Sequence, residues 1–144
     1  MAAESPAYLA YVQGGESSIT NETDGMMMIT VKDVIPYFYI VDDNTSVLHP
    51  VERLANITTP LNAAVTFSGA DNESVSLVEV TNLSLSDENK TLIIQVHPLE
   101  LYEGTVLKSF TDKMNRLTTD SIGKFTNTGI YLEMRDKTPQ NRTY

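Results

Sequence analysis

The chain has 144 residues, 41% of them hydrophobic, with 10 Lys and Arg against 19 Asp and Glu and no cysteine. This length suits one domain with a buried core, and the net charge of −9 repels phosphate and anionic lipid, which argues against nucleic-acid and membrane-surface partners. The lack of cysteine removes disulfides, thiol catalysis and zinc–cysteine sites, and no apolar run approaches the roughly 20 residues of a membrane-crossing helix.

In chain order, Ala7 to Gln13 is apolar and aromatic and stops at Gly14-Gly15, which predicts a first strand. An ordinary place in its own sheet and exchange of residues 1–15 into a neighbouring subunit are both open to such an end strand. Glu16 to Gly25 reads as a polar turn. Met26 to Val34 predicts a second strand, with Ile29, Val31 and Asp33 alternating against Met28, Thr30 and Lys32. The methionines suit gap-filling in a core. After Pro36, Tyr37 to Val41 restarts as an aromatic strand whose alternation sends Tyr37 and Tyr39 to the exposed face and Phe38 to the other.

Residues 42–59 have few strand features, and Val51 to Leu54 suits a helical turn after Pro50. Leu61 to Ser68 predicts a strand with Ala63, Val65 and Phe67 on one face. The strongest signal is the hairpin from Ser74 to His97, with the polar turn Ser86-Asp87-Glu88-Asn89-Lys90 between its arms. In the first arm Val75 and Leu77 share a face, then Val78 and Val80, then Leu83 and Leu85. That double phase slip predicts a bulge or a crossing between sheets near Leu77-Val78 and again near Asn82.

Thr105 to Leu117 predicts the one amphipathic helix, with Val106 or Leu107, Phe110, Met114 and Leu117 on its apolar stripe. Gly129 to Arg135 predicts a last strand with Ile130, Leu132 and Met134 inward, and residues 137–144 form a polar tail. The expected fold is all-β: a single β-sandwich domain over residues 1–144, with seven or eight short antiparallel strands and one helix near residues 105–117.

Seven of the ten asparagines stand in Asn-x-Ser/Thr triplets: Asn21, Asn44, Asn56, Asn72, Asn82, Asn89 and Asn141. Ser and Thr make up 28 of the 144 residues, so chance places about two of ten asparagines in sequons. Turn chemistry enriches Asn, Ser and Thr in loops, but it does not put a hydroxyl two positions after nearly every Asn. The excess predicts an N-glycosylated extracellular or cell-surface protein with these asparagines exposed. The start Met1-Ala-Ala-Glu-Ser lacks the basic end and apolar centre of a signal peptide, so the chain reads as a mature protein after signal removal or as a cytoplasmic one.

No nucleophile elbow, zinc-protease motif or phosphate loop is present. The imidazoles are His49 and His97, each followed by proline, and they suit surface or cap positions better than a triad. The carboxylate pairs Asp42-Asp43 and Asp87-Glu88 lie in predicted turns, where acidic residues belong for turn chemistry rather than glycoside hydrolysis. No catalytic residue and no cofactor is predicted. Calcium is the best metal candidate, through the oxygen-rich loops at Asp42, Asp43 and Asn44 and at Asp71, Asn72 and Glu73; neither matches the EF-hand spacing.

Tyr11-Val12-Gln13, Val34-Ile35-Pro36-Tyr37-Phe38, Pro60-Leu61-Asn62-Ala63-Ala64 and the hairpin Val75 to Leu99 together resemble a group of secreted, β-rich bacterial and cyanobacterial proteins of uncharacterised function. The turn at Asp42-Asp43 departs from that group's Asp-Arg-Pro. The resemblance implies secretion and β-architecture and brings no activity. The functional expectation is therefore a non-enzymatic, glycosylated extracellular structural protein that associates with itself in a filament, sheath or layer. The alternative is a secreted monomeric adhesion module for carbohydrate or protein.

Overall fold

The computed structural model describes residues 8–42, 45–69, 73–112 and 126–134. The fold is all-β, with nine antiparallel strands. They are β1 (Tyr8–Gly14), β2 (Ser17–Asn21), β3 (Met27–Val31), β4 (Tyr37–Asp42), β5 (Thr45–Pro50), β6 (Leu61–Ser68), β7 (Glu73–Ser86), β8 (Thr91–Pro98) and β9 (Asn127–Met134). The order across the sheet is β2-β3-β8-β7-β6-β9-β1-β4-β5.

That order hides a closure. β1 runs on into β2 through Gly15 and Glu16, and β3 runs on towards β4 through residues 32–36. These two long segments pair with each other on both sides of their breaks, β2 with β3 and β1 with β4. β3 also pairs with β8, and β1 with β9. The sheet therefore closes on itself, with the β6–β7 ladder on one side and the β1–β2 corner on the other. β4 and β5, which form the flap, continue the sheet past β1 and end it.

The corner is built tightly. Gly15 N–H donates to the Lys32 carbonyl at 2.7 Å, and Lys32 N–H donates to the Glu16 carbonyl at 2.8 Å. A Cβ on Gly14 would lie 2.5 Å from Val31 Cγ1, so the close passage of the two segments needs glycine there. The buried Thr128 hydroxyl donates to the Gly15 carbonyl at 2.8 Å and lies 2.9 Å from the Ser17 hydroxyl, which ties the start of β9 to the same corner.

The core inside the closed sheet follows strand alternation. Met27, Ile29 and Val31 enter it from β3, Ala63, Val65 and Phe67 from β6, and Ile130, Leu132 and Met134 from β9. Phe38 and Ile40 close it from the flap. A second, smaller cluster lies on the outer face, where residues 99–112 cross the sheet. Ala64, Leu77 and Leu107 are buried there against Leu9, Tyr102, Phe110 and Tyr131.

The central hairpin resolves the two phase slips differently. A bulge interrupts the β7–β8 register between Val80 and Asn82. It switches parity, so that Val78 and Val80 before it, and Leu83 and Leu85 after it, all face the inner core. No bulge exists at Leu77-Val78, contrary to expectation. The β6–β7 register runs unbroken from Glu73 to Val80, and Leu77 is apolar because it belongs to the outer cluster while Val78 belongs to the inner one. A strand covered on both faces loses its alternation without any irregularity of the backbone.

Two strands went unseen in the sequence, which is why nine replace seven or eight. β2 lies where a polar turn was expected; it places one buried side chain, Ile19, in the core. β5 lies in the stretch expected to lack strand features, and most of its side chains are exposed. The expected turn after Pro50 forms as a 3-10 helix at Val51–Asn56, anchored by buried Val51 and Leu54. Within the segment expected to be an amphipathic helix, the described residues form a 3-10 turn at Lys108–Phe110, and residues 113–117 lie outside the described ones. The apolar stripe still does its packing, since Val106, Leu107 and Phe110 all join the outer cluster.

Candidate functional site

One row of side chains runs across the outer face, strand by strand. Leu48 on β5 pairs with Tyr39 on β4, Tyr39 with Tyr11 on β1, Tyr11 with Tyr131 on β9, Tyr131 with Ala64 on β6, and Ala64 with Leu77 on β7. The Tyr11 and Tyr131 rings lie 4.6 Å apart, and Phe110 stacks against Tyr131 from the crossing segment at 4.8 Å. Residues 99–112 thus cover the Tyr131–Ala64–Leu77 end. The other end is bare: Tyr39 is 44% and Leu48 54% exposed. Tyr37 and Val41 add to the uncovered apolar area of this face, and Val47 is exposed on the other face of the flap. Solvent-exposed contiguous apolar patches of this kind mark interaction sites.

Tyr37 and Tyr39 face outward while Phe38 is fully buried, as the alternation predicted. Phe38 stacks on His49 with ring centroids 5.6 Å apart. Burial, and to a lesser degree the Arg53 guanidinium, hold His49 below the ordinary imidazole range. β5 is the end of the strand order: β4 pairs with one of its edges, and no described strand pairs with the other. Thr45–Pro50 contains no Asp, Glu, Lys or Arg, so the charges that usually guard an edge are missing.

A cleft of about 640 Å³ lies beside the flap, lined by Tyr37, Asp33, Glu52, Glu88, Asn89 and Lys90 among others. Asp33, Glu88 and Asn89 all take positive φ there. The β7–β8 turn that supplies three of these residues is closed by Lys90 N–H donating to the Asp87 carbonyl at 3.1 Å.

On the covered side, the Tyr102 hydroxyl fastens the crossing segment. It accepts from Leu107 N–H at 2.9 Å and donates to Glu133 Oε2 at 2.9 Å. Asn62 donates to Glu133 Oε1 at 3.4 Å, and Glu133 is 6% exposed. Burial raises Tyr102 above the ordinary phenol range, with the Glu133 carboxylate acting in the same direction and the Leu107 N–H against it. Tyr11 is raised as well, chiefly by burial and then by Tyr131.

Four of the seven sequons fall on described residues. Asn21 ends β2, Asn56 ends the 3-10 helix and Asn82 sits at the bulge, all exposed. Asn89 is half-buried and donates to Glu52 Oε2 at 3.3 Å. Asn44, Asn72 and Asn141 lie outside the described residues, as do Asp43 and Asp71 of the calcium candidates; Asp42 ends β4, and Glu73 is exposed at the start of β7. Among the described residues no three His, Asp or Glu side chains converge to hold a metal. His97 pairs across the hairpin with Glu79, far in the ladder from His49, and Asp87 and Glu88 are exposed in their turn. No helix of the described residues is long and apolar enough to cross a membrane.

The bare flap was only half legible: the outward tyrosines followed from alternation, but the free edge of β5 did not, because no apolar period marks it. Comparison with protein-family models, with curated proteins and with solved structures finds no match to this chain.

Proposed function

We propose that this protein is a non-enzymatic, N-glycosylated extracellular structural protein, a subunit of a filament, sheath or layer, that meets its neighbours through the bare β4–β5 flap. The observation that carries the reading is an uncharged, apolar sheet edge on a chain whose sequon asparagines Asn21, Asn56 and Asn82 are exposed; the Asn44 sequon directly precedes that edge in the sequence, so its occupancy bears on access to β5. Glycans on exposed asparagines keep most of a surface solvated, and a partner then needs one dry face. Exchange of β1 is the costlier route to assembly, because Tyr8–Gly14 is held by β9 along one edge and by β4 along the other. Removing it would break two ladders, whereas adding a strand at β5 breaks none.

The test is the intact mass of protein isolated from its natural source, before and after glycan release, with electron microscopy of the same sample. A mass several kDa above the 16.0 kDa chain, together with filaments or sheets, is the expected result. A bare mass of 16.0 kDa would sink the glycoprotein reading.

A second reading, an adhesion module for saccharide, is favoured by the cleft beside Tyr37. A half-exposed tyrosine at the rim, with Asp33, Glu52 and Lys90 in the walls, offers a stacking face and hydrogen-bonding groups for a sugar. Excess mass with dispersed particles only, and glycan-array binding abolished by Tyr37→Ala, would support this reading over the first.

A further inference from the structure

We propose that β5 pairs with β5 of a second copy of this chain, antiparallel about a two-fold axis through Val47, making one sheet continuous across a symmetric dimer. This deepens the self-association reading above and rests on it; a two-fold contact closes on itself, so the dimer is the building unit and a filament or layer needs a second contact elsewhere on it.

The backbone decides the register. Val51 N–H donates to the Pro36 carbonyl at 2.8 Å, just beyond the Tyr37–Pro50 pair. In an antiparallel ladder, bonded and non-bonded pairs alternate. Tyr37–Pro50 is therefore a non-bonded pair, and the bonded pairs are Phe38–His49, Ile40–Val47 and Asp42–Thr45. It follows that Val47 and His49 spend their backbone groups on β4, while Ser46, Leu48 and Pro50 turn theirs to the outer edge. Pro50 has no N–H to offer. Two copies thus have Ser46 and Leu48 to work with.

Side chains directly opposed in a sheet share a face, so Val47, on the inner face opposite Ile40, must meet an inner-face residue. A register centred on Val47 pairs Ser46 with Leu48 of the other copy, twice. It uses every outward N–H and C=O of both residues and leaves proline out. A register centred on Leu48 pairs Ser46 with Pro50, and each Ser46 carbonyl then finds no donor. The first register is the better one.

Charge favours the same partner. A chain of net charge −9 repels its own copy over most of its surface. Thr45–Pro50 contains no Asp, Glu, Lys or Arg, so two copies meet there without like charges in contact. On the outer face this register sets Leu48, bare in the single copy, beside Ser46 of the other copy and diagonal to its Leu48.

The absence of cysteine makes the test clean, since a single introduced thiol has only its symmetry mate to react with. In the proposed register Val47 forms a non-bonded pair with its mate at a Cα separation of about 4.5 Å, within disulfide range. Leu48 and its mate are diagonal neighbours about 8–9 Å apart, beyond it. Full-length Val47→Cys, under mild oxidation at moderate concentration, is expected to become a covalent dimer, and Leu48→Cys to stay monomeric. Sedimentation equilibrium of the wild-type chain is expected to show mass rising from 16.0 kDa towards twice that value with concentration. Leu48→Pro, which removes an outward N–H and no bond to β4, is expected to hold the mass at the monomer value with its circular dichroism preserved. A wild-type chain that stays monomeric at millimolar concentration overturns the proposal, and so does equal cross-linking of the two cysteine variants. The series is run on the natural protein before and after glycan release. Dimers only after release overturn the proposal for the natural molecule; dimers from a chain that carries no glycan uphold it while the glycoprotein reading falls.

Discussion

Tyr102 and Glu133 are joined by a 2.9 Å hydrogen bond that links residues 99–112 to the outer face of β9. The phenol also receives Leu107 N–H, so one hydroxyl serves two partly buried groups. Tyr102→Phe leaves the N–H without its acceptor and the carboxylate without its best donor. The expected loss is about 1–3 kcal/mol of unfolding free energy. Hydrogen exchange should rise in residues 99–112 while the inner strands keep their protection; uniform change across the sheet would contradict a local clasp. Gly104→Ala strikes the same clasp from the other side. Its Cβ would stand 2.5 Å from the Tyr102 hydroxyl and 2.9 Å from Glu133 Oε2, and overpacking of this kind costs roughly 1–3 kcal/mol.

Stability should fall at both ends of the pH scale, for opposite reasons. His49 is held below its unfolded value of 6.5, so the unfolded chain binds its proton more readily. The contribution is complete above 6.5 and declines as pH drops from there through the folded value. Tyr11 and Tyr102 are held above 10.0, so their contribution is complete below that pH and declines as pH rises through their folded values. Melting temperature against pH should show both shoulders. His49→Gln flattens the acid one and Tyr102→Phe reduces the alkaline one; shoulders unchanged in both variants would refute the assignment.

Deletion of Thr81 removes the extra residue of the β7 bulge. Either Val78 and Val80 or Leu83 and Leu85 must then turn away from the inner core. Exposing the fully buried Val78 and Val80 costs about 3–6 kcal/mol, at roughly 1.5–3 each, and turning out the partly buried Leu83 and Leu85 costs less. Urea unfolding of the deletion variant should show a loss of about 1–6 kcal/mol; a smaller change would mean the bulge does not set the parity.

Occupancy should differ among the sequons if the protein is glycosylated. Site-resolved mass spectrometry is expected to find Asn21 and Asn56 highly occupied, because both are exposed. Asn82 and Asn89 are expected to lag, since their amides already donate, to Gln95 Oε1 and to Glu52 Oε2. Glu52→Ala should then raise occupancy at Asn89 alone. Equal occupancy at all four sites in the wild type would count against this.

Alternation carried most of the fold in the sequence. Phe38 against Tyr37 and Tyr39, and Ile130, Leu132 and Met134 against Tyr131 and Glu133, needed only a period of two. The reading failed where burial and periodicity part company. Leu77 and Val78 are both buried because two clusters cover one strand, and a single chain cannot say which apolar neighbour serves which layer. β2 and β5 escaped notice because they bury little: the first contributes Ile19, and the second leans on a flap where ladder bonds, not side chains, define the strand. The glycosylation pattern was legible as a count. The free edge was not, because it depends on which strand the topology leaves last.

The first described strand pairs with the last: Tyr8 stands opposite Met134, and Gly14 opposite Thr128. β9 also fills the place between β1 and β6, so the sheet is not closed without it. The sheet therefore cannot close until β9 has joined it. Contacts so distant along the chain slow folding, and until then β1 and β6 each present an open edge. Joining residues 8 and 134 through a linker and opening the β7–β8 turn would move that last step to the middle of the fold, and should speed refolding without altering the native sheet.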